Sequence, residues 1–467
     1  MYDASIVQTM SPPHKSRHNQ PPKLLKNVET LKMTFAVSRK IDPSKAIDKM
    51  PITADLPSSV SYQARAEWRE AGLIEPNCET IRDYRLGRLQ AQIETAGVGA
   101  LLMFDPMNIR YATDSTNMIL WNHHNPFRAV LLCADGHLVL WDYRNTEFLT
   151  EDNPRIHERR TGADLFYFDR GNSVGKTAAQ FAREVESLLA QHGEGSRVLA
   201  VDKIMVAGLR ALESRQLTVI EGEPLTEFAR SIKCEDEVKA MRCAMHSTEQ
   251  AIARMREAIE PGMSEMDIWA VLHYESIKRG GEWIETRLLS SGPRTHPWFR
   301  ECSHRIVQPN EIVAFDTDLI GPYGMCCDIS RTWWIGDEDP PAALIDATRI
   351  AHDHLTHNMA LLRPGRHFSD ITEALHPLPE NCQHLKYGCA MHGVGLCDEW
   401  PLIAYPDQWV EGAFDSELKP GMVLCVEALV SPDNADFSIK LEDQVLITET
   451  GFENLTKAPF DSRLQGV

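Results

Sequence analysis

The sequence predicts an α/β (α+β) protein of two structured domains, an α/β domain followed by a domain that carries an internal duplication. Three observations predict it. Helical and strand-like apolar patterns alternate from about Ala64 to Thr226. Beyond Cys234 two amphipathic helices, and the residues after them, repeat at a constant spacing of 103. In that same half, apolar strand-like runs are interrupted by acids.

Each element has a local cause. Leu86, Leu89 and Ile93 share one helical face, which Gly97 ends. The run GALLMF that follows is apolar enough for a buried strand. AVLLCADGHLVLW reads as two β runs about Asp135-Gly136, a hairpin signal. Ala178, Phe181, Val185, Leu188 and Leu189 form a second helical face ending at Gly193, and VLAVDKI and LTVIEGE supply further strands.

In the second half, Met241, Met245, Thr248, Ile252, Met255 and Ile259 step by three and four along a long amphipathic helix that stops at Pro261-Gly262. A helix over 344–362 stops the same way at Pro364-Gly365. Asp267, Ile268, Leu272 and His273 recur as Asp370, Ile371, Leu375 and His376 at the same spacing. A duplicated half-domain predicts a pseudo-twofold architecture with a cleft between the halves.

Composition narrows the function. The 467 residues are 43% apolar, enough for a sizeable core, and the net charge of −19 disfavours nucleic acid and anionic membranes. Eleven cysteines, none in a C-x-x-C, exclude a zinc ribbon and a disulfide framework. Those in apolar or glycine-containing segments (Cys302, Cys326, Cys389, Cys397, Cys425) read as reduced, buried thiols of a cytoplasmic protein. No apolar stretch is long enough to span a membrane. Residues 1–40, rich in Pro, Lys, Gln and Asn at their start, lack the apolar core of a secretory signal and read as a disordered extension.

Four segments pair strand patterns with acids. EIVAFDTDLIG carries Asp316 and Asp318, two apart and so on one face of a strand. Asp328 lies in YGMCCDISRTWWIG, Glu427 in GMVLCVEALVS and Glu442 in FSIKLEDQVLIT. Burying an unpaired carboxylate costs many kcal/mol, and these segments offer no matching set of buried lysines or arginines. Divalent ions neutralise such a cluster compactly, and oxygen ligands with one imidazole, His392, suit Mn, Fe, Co or Zn. HDHLTH, His352 to His357, has no histidine pair at i,i+4 and reads as a solvated helix face.

The order Asp, Asp, His, Glu, Glu on a duplicated half-domain resembles the metallopeptidase clan of methionine aminopeptidase, prolidase and creatinase. That resemblance implies a creatinase-like N-terminal α/β domain over 41–228, a pita-bread catalytic domain over 229–467, and a homodimer. Where those peptidases carry a second histidine after H-G-x-G, HGVGLCDEWP is one residue shorter and carries Asp398 near that place. The upstream peptidase histidine has only an approximate match, His296. Denser likeness runs from about Ser38 onward, through MFDPMNIRYATDSTNMILW, GGEWIETRLLSSGPRT, FDTDLIG, DISRTWWIGD and MHGVGLCDEWPLIAYPDQW. There the chain resembles the dimethylsulfoniopropionate lyases of this fold. The resemblance implies release of dimethyl sulfide and acrylate, with two metal ions, most often iron, on Asp316, Asp318, Asp328, His392, Glu427 and Glu442. It implies Asp398 as the base, with Glu399 an adjacent alternative, and Trp121 and Tyr387 as substrate contacts. The ligand set alone leaves a prolidase-like Xaa-Pro peptidase as the other expectation.

Overall fold

A computed structural model describes residues 60–413 and 416–466, so the extension expected over 1–40 lies outside the described residues. Helices α1 (Tyr62–Glu70) and α2 (Cys78–Ala96) come first. Asn77 caps α2 by accepting from the Glu79 and Thr80 N–H groups, and Gly97 closes it at φ 64°. Strand β1 (Ala100–Met103) leads into α3 (Pro106–Thr113) and α4 (Ile119–His124). Strands β2 (Ala129–Cys133) and β3 (Leu138–Trp141) form the antiparallel hairpin around Gly136, which sits at φ 89°. Next come β4 (Glu158–Arg160), α5 (Tyr167–Arg170), α6 (Val174–His192), β5 (Val198–Val201), α7 (Val206–Ser214) and β6 (Thr218–Glu221). The strands make one sheet, ordered β4-β3-β2-β1-β5-β6. The apolar face of α6 expected from the sequence is buried in full.

Helix α8 (Glu223–Arg230) carries the chain into the second domain. There α9 (Glu235–Ala258) and α10 (Glu265–Ile277) precede the short strand β7 (Trp283–Ile284), β8 (Leu289–Ser291), β9 (Glu311–Asp316), β10 (Leu319–Ile320), β11 (Cys326–Cys327) and β12 (Ser330–Ile335). The second copy opens with α11 (Ala342–Ala360) and α12 (Phe368–Ala374). It continues with β13 (Met391–Val394), β14 (Asp398–Ile403), β15 (Val423–Val430), β16 (Ile439–Ile447) and β17 (Phe452–Asn454), and α13 (Ser462–Gln465) closes the chain. Sheets β12-β9-β8 and β14-β13-β15-β16-β17 are the cores of the two halves, with β11-β10-β7 beside the first.

The repeat in sequence is a repeat in structure. After α9, Gly262 sits at φ 103° and donates its N–H to Val307 O at 2.9 Å. After α11, Gly365 sits at φ 78° and donates to Leu418 O at 2.8 Å. The residues that cap the next helices, Ser264 and His367, each make an isolated antiparallel bridge, to Ile306 and to Glu417. Positive φ at both glycines explains why the repeat keeps them.

The expectation for His352 to His357 needs correcting at one residue. His354 is buried, bonded to Tyr405 Oη at 3.2 Å, and burial pushes its pKa down to about 4. One α11 turn brings it round to the core side, while His357 stays exposed.

Thr332 ties the two sheets together. Its hydroxyl donates to Lys440 O and accepts from Lys440 N–H, both at 3.0 Å. Thr332→Val keeps the shape and strands both buried backbone groups, so it should cost about 1–3 kcal/mol for each group left unpaired. Urea unfolding with metal present checks this.

Candidate active site

The two strand-borne glutamates meet because β15 and β16 pair antiparallel with Glu427 opposite Glu442. On the neighbouring strand β13, His392 lies opposite Cys425 of β15. It belongs to a strand, not to the loop that its flanking glycines suggest. His392 Nε2 lies 3.3 Å from Glu427 Oε1, 3.5 Å from Asp328 Oδ2 and 3.8 Å from Glu442 Oε1. Its Nδ1 lies 3.8 Å from Asp398 Oδ1.

Asp316 ends β9, opposite Ser330 of β12. Asp318 does not continue that strand: at φ 36° it makes a left-handed turn. The expectation that strand periodicity aligns the two aspartates is thus wrong. Asp318 reaches the cluster through the turn, where Thr286 Oγ1 donates to its carboxylate at 2.6 Å. Asp328 sits between β11 and β12, where its N–H donates to Gln444 at 3.2 Å.

Sequence reasoning missed an internal cation. Lys440 is fully buried, and its ammonium contacts Asp316 at 2.9 Å, Glu427 at 2.6 Å and Glu442 at 3.1 Å. It also donates to Ser330 Oγ at 2.7 Å. The signal was in FSIKLEDQVLIT, where Lys440 precedes Glu442 by two and so shares its strand face. Burial opposes ionisation of Asp316, but Lys440 and the Ser330 hydroxyl overcome it and hold its pKa at about 2.

One lysine does not neutralise the cluster. Burial, then the charges of neighbouring acids, push Asp318, Asp328 and Glu442 well above the usual carboxylate range. Burial works against protonated His392, yet Asp398 and Glu427 raise its pKa well above that of free imidazole. Three buried carboxylate oxygens, Asp328 Oδ1, Glu427 Oε2 and Glu442 Oε1, accept no hydrogen bond. Glu427 Oε2 does have the Lys440 ammonium 2.6 Å away as an ion-pair partner. Glu265 provides the internal control. It is just as buried, but it accepts from Ser291 N and Oγ, Ser303 N and Oγ, and Arg294 Nε.

The orphaned oxygens fit metal ions. Ligand atoms of Asp328, His392, Cys425 and Glu442 all lie within 4.8 Å of one another, and so do those of Asp318, Asp328 and Asp398. The two groups share Asp328, and the second includes Asp398, which is expected as the base and not as a ligand. Cys425 is an addition to the expected donors, although burial raises its pKa and favours the thiol.

Asp398 differs from the buried carboxylates around it. It opens β14, and its side chain is 43% exposed. Burial of its surroundings raises its pKa, and nearby acids add to the rise against the pull of His392. Glu285, which sequence reasoning also missed, reaches solvent nearby; desolvation and then the Asp398 charge push it up to about 7. Glu399, the adjacent alternative to Asp398, points away: its side chain is fully buried between Arg230 at 2.9 Å and Lys233 at 2.5 Å.

The two expected aromatics are in different places. Tyr387 is at the cluster, with Lys440 Nζ 4.5 Å over its ring and Phe299 stacked on it at 5.3 Å. Trp121 belongs to α4 of the first domain, in ring contact with Phe127, Phe166, Phe168 and His124. His296 bonds Ser438 Oγ at 3.3 Å.

Comparison with known proteins agrees with this architecture. Residues 85–232 match the creatinase/prolidase N-terminal domain, and residues 239–449 match metallopeptidase family M24. The dimethylsulfoniopropionate lyase DddP of Roseovarius nubinhibens is 56% identical over 441 residues, which are 92% of this chain and 99% of that protein. The protein of the same name from Roseobacter denitrificans is 55% identical, covering 93% of this chain and 99% of its own. The Xaa-Pro dipeptidase structure from Bacillus anthracis superposes with a TM-score of 0.65 at 20% identity, over 81% of this chain and 98% of that one. The prolidase of Pyrococcus horikoshii gives 0.63 at 17% identity, over 80% and 99%. At such identities the likeness to these structures is one of fold.

Two outcomes follow for the metal-stripped protein. Asp318, Asp328 and Glu442 have raised pKa values when folded, so their contribution to stability is complete below the unfolded carboxylate range. It is lost as pH rises through the raised values, hence from about pH 4 upward. Thermal melts in chelator should fall from acidic toward neutral pH in this part, and added dication should reverse the loss. Lys440→Met leaves three carboxylates without their ammonium and should cost about 3–5 kcal/mol in chelator, with a smaller loss once metal is restored.

Proposed function

We propose, for a chain that belongs to the dimethylsulfoniopropionate lyase DddP branch of metallopeptidase family M24, that it cleaves dimethylsulfoniopropionate to dimethyl sulfide and acrylate by base-initiated β-elimination. The observation that carries the mechanism is Asp398: a half-exposed carboxylate of raised pKa on the rim of a buried ligand cluster. Asp398 takes a proton from the carbon beside the substrate carboxylate. The electrons of that C–H bond form the new C=C bond, and dimethyl sulfide leaves with the C–S pair. Its own solvent contact lets Asp398 pass the proton to water. Glu399 is unsuited to that role, because Lys233 and Arg230 outweigh burial and hold its pKa low.

Asp316, Asp318, Asp328, His392, Glu427 and Glu442 would hold two divalent ions, iron first and zinc, manganese or cobalt as substitutes. Bound there, such ions supply positive charge toward the substrate carboxylate as the C–H bond breaks. Tyr387 and Trp121 are assigned to the sulfonium. The Tyr387 ring already holds an ammonium, so the substrate shares or replaces the Lys440 contact. Trp121 has its recorded ring contacts within its own domain, which favours a homodimer in which a second copy presents it. Exposed Leu120, Tyr143, Tyr167 and Phe168 around that part of the domain support such an interface.

The domain division at 228/229 is part of the same reading. Eleven free cysteines support a reducing, cytoplasmic compartment. Among the described residues no helix is long and apolar enough to cross a membrane.

Asp398→Asn should lower kcat for dimethyl sulfide release about 10²–10⁴-fold, with metal content unchanged. Headspace measurement of dimethyl sulfide and metal analysis on one sample check it. Xaa-Pro dipeptides go through the same preparation, and proline release without dimethyl sulfide would favour the peptidase reading. Tyr387→Ala and Trp121→Ala should each weaken substrate binding by about 0.5–2 kcal/mol, read as a rise in KM.

A further inference from the structure

Consecutive residues of β14 face opposite ways, so Asp398 is exposed while Glu399 is buried in the seam against Arg230 and Lys233. In that seam the Glu399 carboxylate is held from two sides. Arg230 Nε donates to Oε2 at 2.9 Å, and Lys233 Nζ donates to Oε1 at 2.5 Å. The other two arms of the Arg230 guanidinium are also engaged, with Glu227 in its own helix α8 and with Asn108 of α3. Asn108 in turn donates to Asp202, just past β5, at 2.9 Å. Glu227 accepts the Trp400 N–H at 2.7 Å. One helix end therefore fixes both a side chain and a backbone group at the two positions after Asp398.

The glycines around His392 belong to this arrangement. A Cβ on Gly395 would lie 2.5 Å from Glu399 Oε1, and one on Gly393 would lie 2.4 Å from Trp400 O. Both glycines of HGVG thus serve the approach of β14 and its buried glutamate. The packing is dense: the pocket lined by Arg85, Arg230, Lys233, Glu237 and Glu399 has a volume of about 10 Å³, no more than a single water fills. Such a network exceeds what strand pairing needs. β14 already pairs with β13, and the register slips between His392 and Gly393, where β14 needs an outside constraint.

We infer that Arg230 is a positioning residue for the lyase reaction: through Glu399 it fixes Asp398 against the substrate, and through Asn108 of α3 it ties the first domain to proton abstraction. This rests on the reading of Asp398 as the base. Arg230 touches neither substrate nor metal ligand, so its loss acts on the geometry of the proton transfer and leaves binding alone. A guanidinium forks to Glu399, Glu227 and Asn108 together, whereas an ammonium keeps the charge without the fork.

The test compares Arg230→Met, Arg230→Lys and Glu399→Gln, each as full-length, metal-loaded enzyme of measured metal content and folded fraction. Arg230→Met should lower kcat about 10²-fold, as an ångström-scale misplacement of a catalytic group does, with KM and metal content unchanged. Arg230→Lys should recover part of that loss, and Glu399→Gln should resemble Arg230→Met. If Arg230→Met does not fold, the other two decide. A folded, metal-loaded variant with wild-type kcat overturns the inference, as does a fall in kcat that tracks lost metal or lost folded protein. Asp398→Asn keeps the two readings apart: turnover surviving in that variant removes the base assignment, whatever the Arg230 variants do.

Discussion

Mutual repulsion among buried carboxylates is the constraint on which the second domain depends. Asp316, Asp318, Asp328, Glu427 and Glu442 are buried together around His392, and Lys440 answers only Asp316, Glu427 and Glu442. In such surroundings each unpaired charge either takes up a proton or finds a cation. Glu265 shows that this chain can bury a carboxylate comfortably when it surrounds it with donors. It does not do so at the cluster, where three carboxylate oxygens accept no hydrogen bond. The domain gives up stability there to hold a site ready for dications.

The scaffold meets that cost by duplication. Two similar helix-and-sheet halves, each begun by a helix, a Pro-Gly turn and a bridging residue, bring their sheets together at Thr332 and Lys440. Asp316 comes from the first half, Glu427 and Glu442 from the second, and strand pairing sets the glutamates opposite one another. Side chains on regular strands are rigidly placed, and the groups on turns, Asp318 and Asp328, are tethered by Thr286 and Gln444. Asp398 is held differently: Glu399, the residue after it, is clamped by Arg230 and Lys233 from outside their shared sheet.

Much of this was legible in the chain. The face of α6, the 103-residue repeat and the acids inside apolar strands are patterns of period 3.6, of period 2, or of self-similarity, and each records burial directly. Glu427 and Glu442 stood out because nothing local explains an acid among valines and leucines. Other features were hidden for definite reasons. Asp318 sits in a left-handed turn, so strand periodicity misplaced it. Lys440 reads as an ordinary strand lysine until β16 is seen to face the cluster. His354 looks like its histidine neighbours until the helix phase turns it inward. Cys425 reads as a core thiol, and only strand register puts it opposite His392.

The sequence by itself determined the fold class, the repeat and the identity of the carboxylates, because hydrophobic patterning and the price of a buried charge are local and can be read residue by residue. Only the tertiary structure decided which cations answer those charges, that Glu399 belongs to Arg230 and Lys233 while Asp398 stays exposed, and that Trp121 and Tyr387 lie in different domains. Those outcomes depend on distances between residues far apart in the chain, and Coulomb interactions and hydrogen bonds follow separation in space, on which a sequence pattern is silent.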